Sequence, residues 1–163
     1  MMQEPVARFR KVMQLFPTGV TVVTTRSADG DPYGLTVNSF TSVSLDPLLI
    51  LVCLDNLLSG LEEFQATQKF AVNILAEDQE DLSVHFSTPG SDRTLPVYGF
   101  SSSGMPLIQG ALASLECSTD GTFPGGDHTI FVGRVEMLHL SDDIDQKGPL
   151  VYYLGRYGRL GDF

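Results

Sequence analysis

Short apolar runs separated by polar, glycine-containing turns dominate the hydrophobic pattern of this chain. Residues 20–25 are rich in β-branched side chains, and residues 28–31 carry the Asp-Gly signal of a hairpin turn. We therefore expect residues 33–39 to form a strand that pairs antiparallel with the first. Residues 48–54 are continuously apolar, which predicts a strand buried on both faces.

The same pattern predicts further strands and three helices along the rest of the chain. The other predicted strands are residues 70–75, 111–118, 129–139 and 150–153. The predicted helices are residues 4–16, 60–67 with Ser59 as N-cap, and 77–86. The segments without a periodic pattern are a long loop at 88–104, a connector at 119–128 and a polar tail at 155–157. Because hairpins rather than helical crossovers join several neighbouring strands, we expect a mainly β fold, an antiparallel barrel or sandwich with peripheral short helices.

A polar elbow joins the second and third predicted strands. Ser39, Thr41, Ser42 and Ser44 place four hydroxyl groups within six residues, next to the apolar run. Short hydroxyl side chains and free backbone amides beside an apolar wall suit a flat ligand with one polar edge. An ordinary strand–loop–strand connection explains the same residues, and composition alone favours it.

Length, composition and charge exclude several classes of protein. The 163 residues are 42% hydrophobic and 18% charged, which indicates one soluble globular domain spanning residues 1–163. No apolar run approaches the roughly 20 residues needed to cross a bilayer, and the first twelve residues lack a signal-peptide core, so a cytoplasmic location is expected. A net charge of −10 without a basic cluster argues against nucleic acid and anionic membranes as partners.

The chain contains none of the common motifs of nucleophilic or metal-dependent enzymes. Cys53 and Cys117 lie within apolar runs and are expected to be buried structural thiols. The three histidines, His85, His128 and His139, have no metal-ligand spacing. An enzyme with these residues would take its reactivity from a bound cofactor.

Two glycine-containing segments are further candidates for ligand binding. The paired Gly125 and Gly126 permit close approach of a ligand to the backbone and would place His128 at the mouth of the next strand. A wide hairpin turn with an exposed histidine explains this segment equally well. Arg156 and Tyr157 offer a cation beside an aromatic ring, or form only a solvated C-terminal tail.

Five segments in this order closely resemble the short-chain flavin reductase family. They are PTGVTVVTT (17–25), TVNSFTSVSLDP (36–47), FAVNIL (70–75), GDHTIFVGRV (126–135) and GRY (155–157). The resemblance extends from about Phe9 to Tyr157. Members of this family are the small reductase components of two-component flavin-dependent monooxygenases.

The resemblance implies a fold, an assembly and a reaction. The fold is an antiparallel split β-barrel of Greek-key type, and the assembly is a homodimer with the flavin at or near the subunit interface. The reaction is reduction of FMN or FAD by NADH or NADPH, with hydride arriving at flavin N5. The reduced flavin then leaves for a partner monooxygenase.

The resemblance also implies a set of site residues. The elbow with the end of the preceding strand, residues 36–44, would line the isoalloxazine and ribityl groups. Residues 53–55 would lie beside them, and residues 56–59 would approach the phosphate. His128, the candidate catalytic residue, would form the nicotinamide side together with the 156–157 end. The candidate cofactor-binding residues are Thr36, Val37, Asn38, Ser39, Ser42, Ser44, Cys53, Leu54, Asp55, Asn56, Ser59, Phe86, Arg93, Arg156 and Tyr157.

The phosphate end departs from the family pattern. Residues 55–60 contain two leucines and neither Lys nor Arg, so phosphate binding is expected to depend on Ser59, on backbone amides and on Arg93. Weak flavin binding would suit a flavin that is used as a substrate.

A rival interpretation is a flavin-binding or flavin-carrying protein of the same fold without significant reductase activity. Pyridoxamine-phosphate oxidase-like and haem-binding proteins also share this barrel. The elbow contains no histidine, which disfavours haem. The segment from Gly126 to His128, together with Arg156, favours the reductase, because a pure flavin binder needs no nicotinamide face.

Overall fold

The computed structural model describes residues 3–92 and 97–161, and its secondary structure is mainly antiparallel β, as predicted. The strands are β1 Thr18–Gly19, β2 Thr21–Arg26, β3 Pro32–Val37, β4 Phe40–Leu45, β5 Leu48–Asp55, β6 Lys69–Ile74, β7 Tyr98–Phe100, β8 Pro106–Ile108, β9 Ala113–Gly125, β10 His128–Leu140, β11 Val151–Tyr153 and β12 Arg156–Gly158. The helices are α1 Gln3–Met13, α2 Leu61–Thr67 and α3 Glu80–Ser87.

Seven of these strands form one antiparallel sheet in the order β3-β2-β6-β9-β10-β5-β4. β9 and β10 are 13 residues each and pair along most of their length. The register of β10 shifts between Val132 and Gly133 and again between Val135 and Met137. Such irregularities bend and twist a strand. A second sheet has the order β1-β11-β12, and β7 pairs with β8.

Two clusters of buried apolar side chains lie on opposite faces of β2. Val23 belongs to a cluster with Val52 and Phe131, whereas its neighbour Val22 belongs to a cluster with Leu150. Successive side chains of a strand point to opposite faces, so the β-branched run recognised in the sequence is buried on both sides. All five residues from 21 to 25 are buried.

The prediction that residues 48–54 are buried on both faces is wrong. Ile50, Val52 and Leu54 are buried, but the residues that alternate with them are only partly covered. β5 is next to β4, the last strand of the sheet, and one of its faces packs on the core while the other lines cavities. The elbow is also not a loop, because Phe40–Leu45 is β4 and pairs antiparallel with β5.

Two segments predicted as irregular form strands. Most of the connector at 119–128 belongs to β9 and β10, which leaves a turn of Gly126 and Asp127, with Gly126 at a φ of +77°. The predicted tail at 155–157 is β12, which pairs with β11 through a turn that contains Leu154 and Gly155, both at positive φ. These residues are extended because each segment pairs with a neighbouring strand, and the local sequence does not reveal that pairing. The segment 88–104 contains β7, and its residues 93–96 lie outside the described ones.

The helix boundaries also differ from prediction. α1 ends at Met13 rather than at residue 16, and the amides of Leu15 and Phe16 donate to carbonyls three residues earlier. α2 begins at Leu61 after Gly60, which adopts a φ of +96°, so Ser59 is not its N-cap. α3 begins three residues later than predicted, at Glu80. In the described part of the chain, no helix is both long enough and apolar enough to cross a membrane.

Candidate functional site

A cleft of about 560 Å³ opens where β3, β5, α3, the β9–β10 turn and the β11–β12 hairpin meet. We call it the main cleft. Its lining residues are Val20, Thr36, Val37, Asn38, Ser39, Cys53, Asp55, Leu58, Val84, Ser87, His128, Tyr152, Gly155 and Tyr157. Its volume falls within the range of roughly 300 to 1,000 Å³ that is usual for small-molecule sites, and its mixture of hydroxyl and apolar groups is typical of them.

The Ser39 side chain fixes the wall of the main cleft between β3 and β4. Its hydroxyl donates a hydrogen bond to the carbonyl of Cys53 over 2.9 Å and accepts one from the Cys53 amide over 3.1 Å. Both backbone groups of Cys53 on this side are thereby satisfied by one short side chain. These two hydrogen bonds hold the elbow against β5 and place Ser39 and Cys53 side by side in the lining.

A chain of hydroxyl contacts connects β3, α3 and β12 across another side of the main cleft. Thr36 Oγ1 donates to the carbonyl of Ser83 over 2.7 Å, and Ser83 Oγ donates to the hydroxyl of Tyr157 over 2.8 Å. The ring of Tyr157 packs edge-on against Tyr152, with centroids 5.1 Å apart. These contacts anchor the β11–β12 hairpin against the helix that faces the cleft.

The end of β5 holds the tip of the β9–β10 hairpin in place. The Asn56 amide donates to the carbonyl of Asp127 over 2.9 Å, and the Asn56 side chain accepts a 2.7 Å hydrogen bond from Thr129. His128 is paired with Asp55 in the β5–β10 register. Both His128 and Asp55 therefore reach the lining of the main cleft from adjacent strands.

His128 carries a hydrogen bond to the neighbouring Asp127, with 2.7 Å between Nδ1 and the carboxylate oxygen. This hydrogen bond, followed by the charges of His128 and Arg10, holds the pKa of the Asp127 carboxyl below its ordinary value. The His128 side chain is 41% exposed and that of Asp127 is 90% exposed. The hairpin tip thus presents a half-covered imidazole to the cleft and a carboxylate to solvent.

A second cavity of about 550 Å³, which we call the side cavity, adjoins the main cleft. Asn38, Ser39, Cys53 and Tyr152 line both cavities. The remaining residues of the side cavity are Phe9, Arg10, Met13, Gln14, Phe16, Thr18, Phe40, Thr41 and Leu51. The hydroxyl of Thr18 is buried and has no hydrogen-bond partner in the described part of the chain, so the wall of this cavity retains one unused polar group.

The structure brings about half of the candidate residues together. Those in the main cleft are Thr36, Val37, Asn38, Ser39, Cys53, Asp55, His128 and Tyr157. They come from four separate stretches of the sequence. Their convergence was expected from the family resemblance and not from any spacing between them.

Several candidates lie away from both cavities. The side chains of Leu54 and Phe86 are 0% and 1% exposed and belong to the core, so they are corrected from ligand-binding to packing residues. Ser42 and Ser44 lie on β4 outside both linings, and Ser44 instead accepts a hydrogen bond from the Asp46 amide. β4 is a strand, and its alternating residues cannot all face one cavity.

Of the expected phosphate end, residues 56–59, only Leu58 lines a cavity. Asn56 is engaged with the β9–β10 hairpin, and the carbonyl of exposed Ser59 accepts a hydrogen bond from the Tyr33 hydroxyl. Arg156 is exposed at the start of β12 and lines neither cavity. Arg93 falls outside the described residues.

Sequence reasoning did not identify several lining residues of the main cleft. They are Val20, Val84, Ser87 and Tyr152, whereas Leu58 and Gly155 lie in segments that were implicated without being named as binding residues. Val84 and Ser87 belong to α3, and the sequence gives no signal for which face of that helix meets a cavity. Tyr152 could have been noticed, because a second tyrosine lies five residues before Tyr157 in the same short C-terminal segment.

The two cysteines differ in environment, which corrects the expectation of two buried thiols. Cys117 is 2% exposed, and burial, reinforced by the nearby Glu136 and Glu116 carboxylates, raises the pKa of its thiol to about 12. Cys53 is only partly covered and lines both cavities. Cys117 is therefore a packing residue, whereas Cys53 is part of the candidate site.

The residues of the main cleft fit a flavin. Thr36, Asn38 and Ser39 supply hydroxyl and amide groups at one stretch of the lining, and Val37, Leu58 and Val84 supply apolar surface. A flat ring with one polar edge needs both kinds of surface. The side cavity adds room for the rest of a nucleotide ligand.

Curated proteins that are similar to this chain include flavin reductases. The chain is 40% identical over 155 residues to an NADH-dependent flavin reductase of Rhodococcus sp., covering 93% of this chain and 84% of that protein. It is 45% identical over 153 residues to the reductase component of a flavin-dependent trigonelline monooxygenase from Acinetobacter baylyi, covering 93% of this chain and 48% of that protein.

A solved structure is similar over nearly the whole chain. The NADH:FAD oxidoreductase of Streptomyces globisporus, in complex with NAD and FAD fragments, superposes with a TM-score of 0.86 at 36% identity, covering 99% of this chain and 96% of that one. The split β-barrel expected from the sequence is thereby confirmed. The profile of the family described as Flavin reductase like domain matches residues 13–161. The chain therefore belongs to the flavin reductase-like domain family.

Proposed function

We propose that the main cleft is where this protein binds a flavin and a nicotinamide nucleotide together. The observation that supports this most directly is the convergence of the 36–39 segment with His128 and Tyr157 in one cavity. These are the segments that the resemblance assigned to the flavin and to the nicotinamide. Two ligands that exchange a hydride must lie against each other in a single site.

The chain is an NAD(P)H-dependent flavin reductase that reduces FMN or FAD. A flavin bound in the cleft supplies the redox chemistry by accepting a hydride at N5 from the reduced nicotinamide. The protein itself binds the two ligands, orients them and excludes water from the cleft. The alternative of a flavin carrier without reductase activity is not favoured, because several similar curated proteins are named as NADH-dependent flavin, FMN or FAD reductases.

Roles for individual side chains follow from their places in the cleft. Thr36 and Ser39 keep the elbow fixed through their hydrogen bonds, so that Asn38 between them presents its amide to the ligand. Groups that are already held in place stabilise developing charge without reorganising during the reaction. His128 and Tyr157 bind and orient the nicotinamide side, and no side chain of the cleft needs to form a covalent bond with either ligand.

Two further parts of the proposal concern other proteins. We propose that the reduced flavin passes to a partner monooxygenase, as the name of the Acinetobacter relative describes for that protein. We also propose a homodimer, since the apolar residues Phe9 and Phe16 are 65% and 66% exposed beside the side cavity and Leu45 on β4 is 87% exposed. An unpaired apolar surface of this kind is typical of protein interfaces. The expected cytoplasmic location stays a prediction.

The decisive experiment is a steady-state assay of NADH and NADPH oxidation with FMN and with FAD. We expect turnover far above the oxidation of the same nucleotide by free flavin. Anaerobic bleaching of the flavin absorbance would show that the flavin is the electron acceptor. Oxidation no faster than the protein-free background with all four pairs would rule out the reductase, while flavin binding without turnover would support the carrier.

A further inference from the structure

The region where a phosphate was expected contains no Lys or Arg, and this raises the question of which cation meets the phosphate groups of the ligands. Residues 55–60 are Asp-Asn-Leu-Leu-Ser-Gly, and α2 that follows them is seven residues long. The chain as a whole carries a net charge of −10. Any cation that meets a phosphate in this protein therefore comes from another element.

Arg10 is the one Lys or Arg among the described residues that line either cavity. It lies in the last turn of α1 and contributes to the side cavity, next to the residues that this cavity shares with the main cleft. Among the described residues its guanidinium forms no hydrogen bond or ion pair. Its bonding capacity is therefore available to a ligand.

The position of Arg10 relative to the hairpin tip supports a role in ligand binding. Its charge is close enough to Asp127 to contribute to lowering the pKa of that carboxyl, after the larger effect of His128. His128 lines the main cleft, and Arg10 lines the side cavity, which shares four lining residues with that cleft.

We propose that Arg10 binds a phosphate group of a nucleotide substrate and that the side cavity receives the phosphorylated end of that molecule. This inference rests on the proposed function. Guanidinium groups match phosphate oxygens in shape and charge, and they keep their charge at every physiological pH. The side cavity also offers the rings of Phe9, Phe40 and Tyr152 as apolar surface. The phosphate can come from the flavin nucleotide or from the nicotinamide dinucleotide.

The test compares substrates with and without phosphate in Arg10→Ala and in wild-type protein. For the flavin, FMN and FAD are compared with riboflavin; for the hydride donor, NADH is compared with 1-benzyl-1,4-dihydronicotinamide. We expect Arg10→Ala to raise the KM of the phosphate-bearing ligand by about tenfold, the usual scale for losing a hydrogen bond to a charged group. The reaction of riboflavin with the benzyl compound should keep its wild-type rate.

Each arm of the experiment identifies one source of the phosphate. A rise limited to FMN and FAD assigns Arg10 to the flavin, and a rise limited to NADH assigns it to the dinucleotide. Arg10→Lys should recover part of the loss, because it restores the charge without the planar fork. Arg8→Ala is the matched control: Arg8 is exposed on the same helix and lines neither cavity, so both kinds of substrate should behave as in wild type.

Two results would overturn the inference. One is an equal change of KM for substrates with and without phosphate, or no change for either. The other is an altered particle mass of Arg10→Ala by light scattering, which would assign the residue to assembly. Wild-type turnover of FMN with NADH tests the proposed function separately, so failure of the Arg10 inference does not affect it.

Discussion

The imidazole of His128 is hydrogen-bonded to the carboxylate of its chain neighbour Asp127, with 2.7 Å between Nδ1 and the carboxylate oxygen. A carboxylate can only accept, so Nδ1 carries the proton. In the neutral ring Nε2 is then free to accept a hydrogen bond. Asp127 is thus a positioning residue that selects one tautomer of the histidine in the main cleft.

We predict that His128→Ala raises the KM for NADH by about fivefold, the scale of one neutral hydrogen bond, and weakens flavin binding less. Asp127→Asn should also raise the KM for NADH, but by less than fivefold, because Asp127 itself faces solvent. Steady-state kinetics and flavin fluorescence titration measure the two quantities. His85→Gln, a histidine change outside both cavities, is the control. Equal losses for nicotinamide and flavin would contradict this assignment.

Gly133 lies on β10 at a position that leaves no room for a side chain. A Cβ atom at this position would lie 2.5 Å from Phe70 and 3.0 Å from the Cβ of Cys117. We predict that Gly133→Ala lowers the free energy of unfolding by about 1 to 3 kcal/mol, the usual cost of overpacking a core. Gly19→Ala is the matched control, because nothing lies within 4 Å of its added methyl group. Chemical denaturation of both variants measures the difference, and equal stabilities would show that β10 moves to make room.

Glu116 provides a test of pH dependence away from the candidate site. It is 4% exposed, and its carboxylate accepts hydrogen bonds from Ser103 and, over 2.6 Å, from His139 Nε2. Burial acts to raise the pKa of Glu116, but the hydrogen bonds from Ser103 and His139 outweigh it and hold that pKa below the ordinary value of 4.5. A carboxyl with a lowered pKa in the folded state stabilises the protein above its unfolded-state value.

We therefore predict that the contribution of Glu116 to stability is fully present at neutral pH and is lost as the pH falls below about 4.5 and through the lower folded-state pKa. Denaturation at a series of acidic pH values should show a steeper loss for wild type than for Glu116→Gln, which has no carboxyl to protonate. Parallel curves for the two proteins would show that other groups control the acid transition.

The two thiols should differ in reactivity. Cys117 is buried with a pKa of about 12, so very little thiolate forms at neutral pH. Cys53 is partly covered and lines both cavities. We predict that a thiol reagent modifies Cys53 alone in the native protein and that saturating flavin slows this reaction. Cys53→Ser should abolish native labelling; labelling of Cys117 in that variant, or no protection by flavin, would contradict the prediction.

The sequence by itself determined the antiparallel β class and the positions of the early strands, but not which of their faces are buried. The β-branched run at residues 20–25 became β2, and its five buried residues from 21 to 25 include Val22 and Val23, which belong to different core clusters. The Asp-Gly turn after it was equally readable, since the turn geometry needs those residue types locally. The family resemblance then supplied the convergence of Thr36, Ser39 and His128 on one cleft.

Only the tertiary structure decided which faces and edges meet. Leu54 and Cys53 are neighbours in one apolar run, yet one is buried in the core and the other lines both cavities, because alternate residues of a strand point in opposite directions. Arg10 belongs to a helix whose sequence gives no sign of a ligand, and it lines the side cavity together with residues of β4 and β5 that are distant in sequence. Hydrophobic pattern fixes which residues leave water, but contacts between distant segments fix what the remaining residues face.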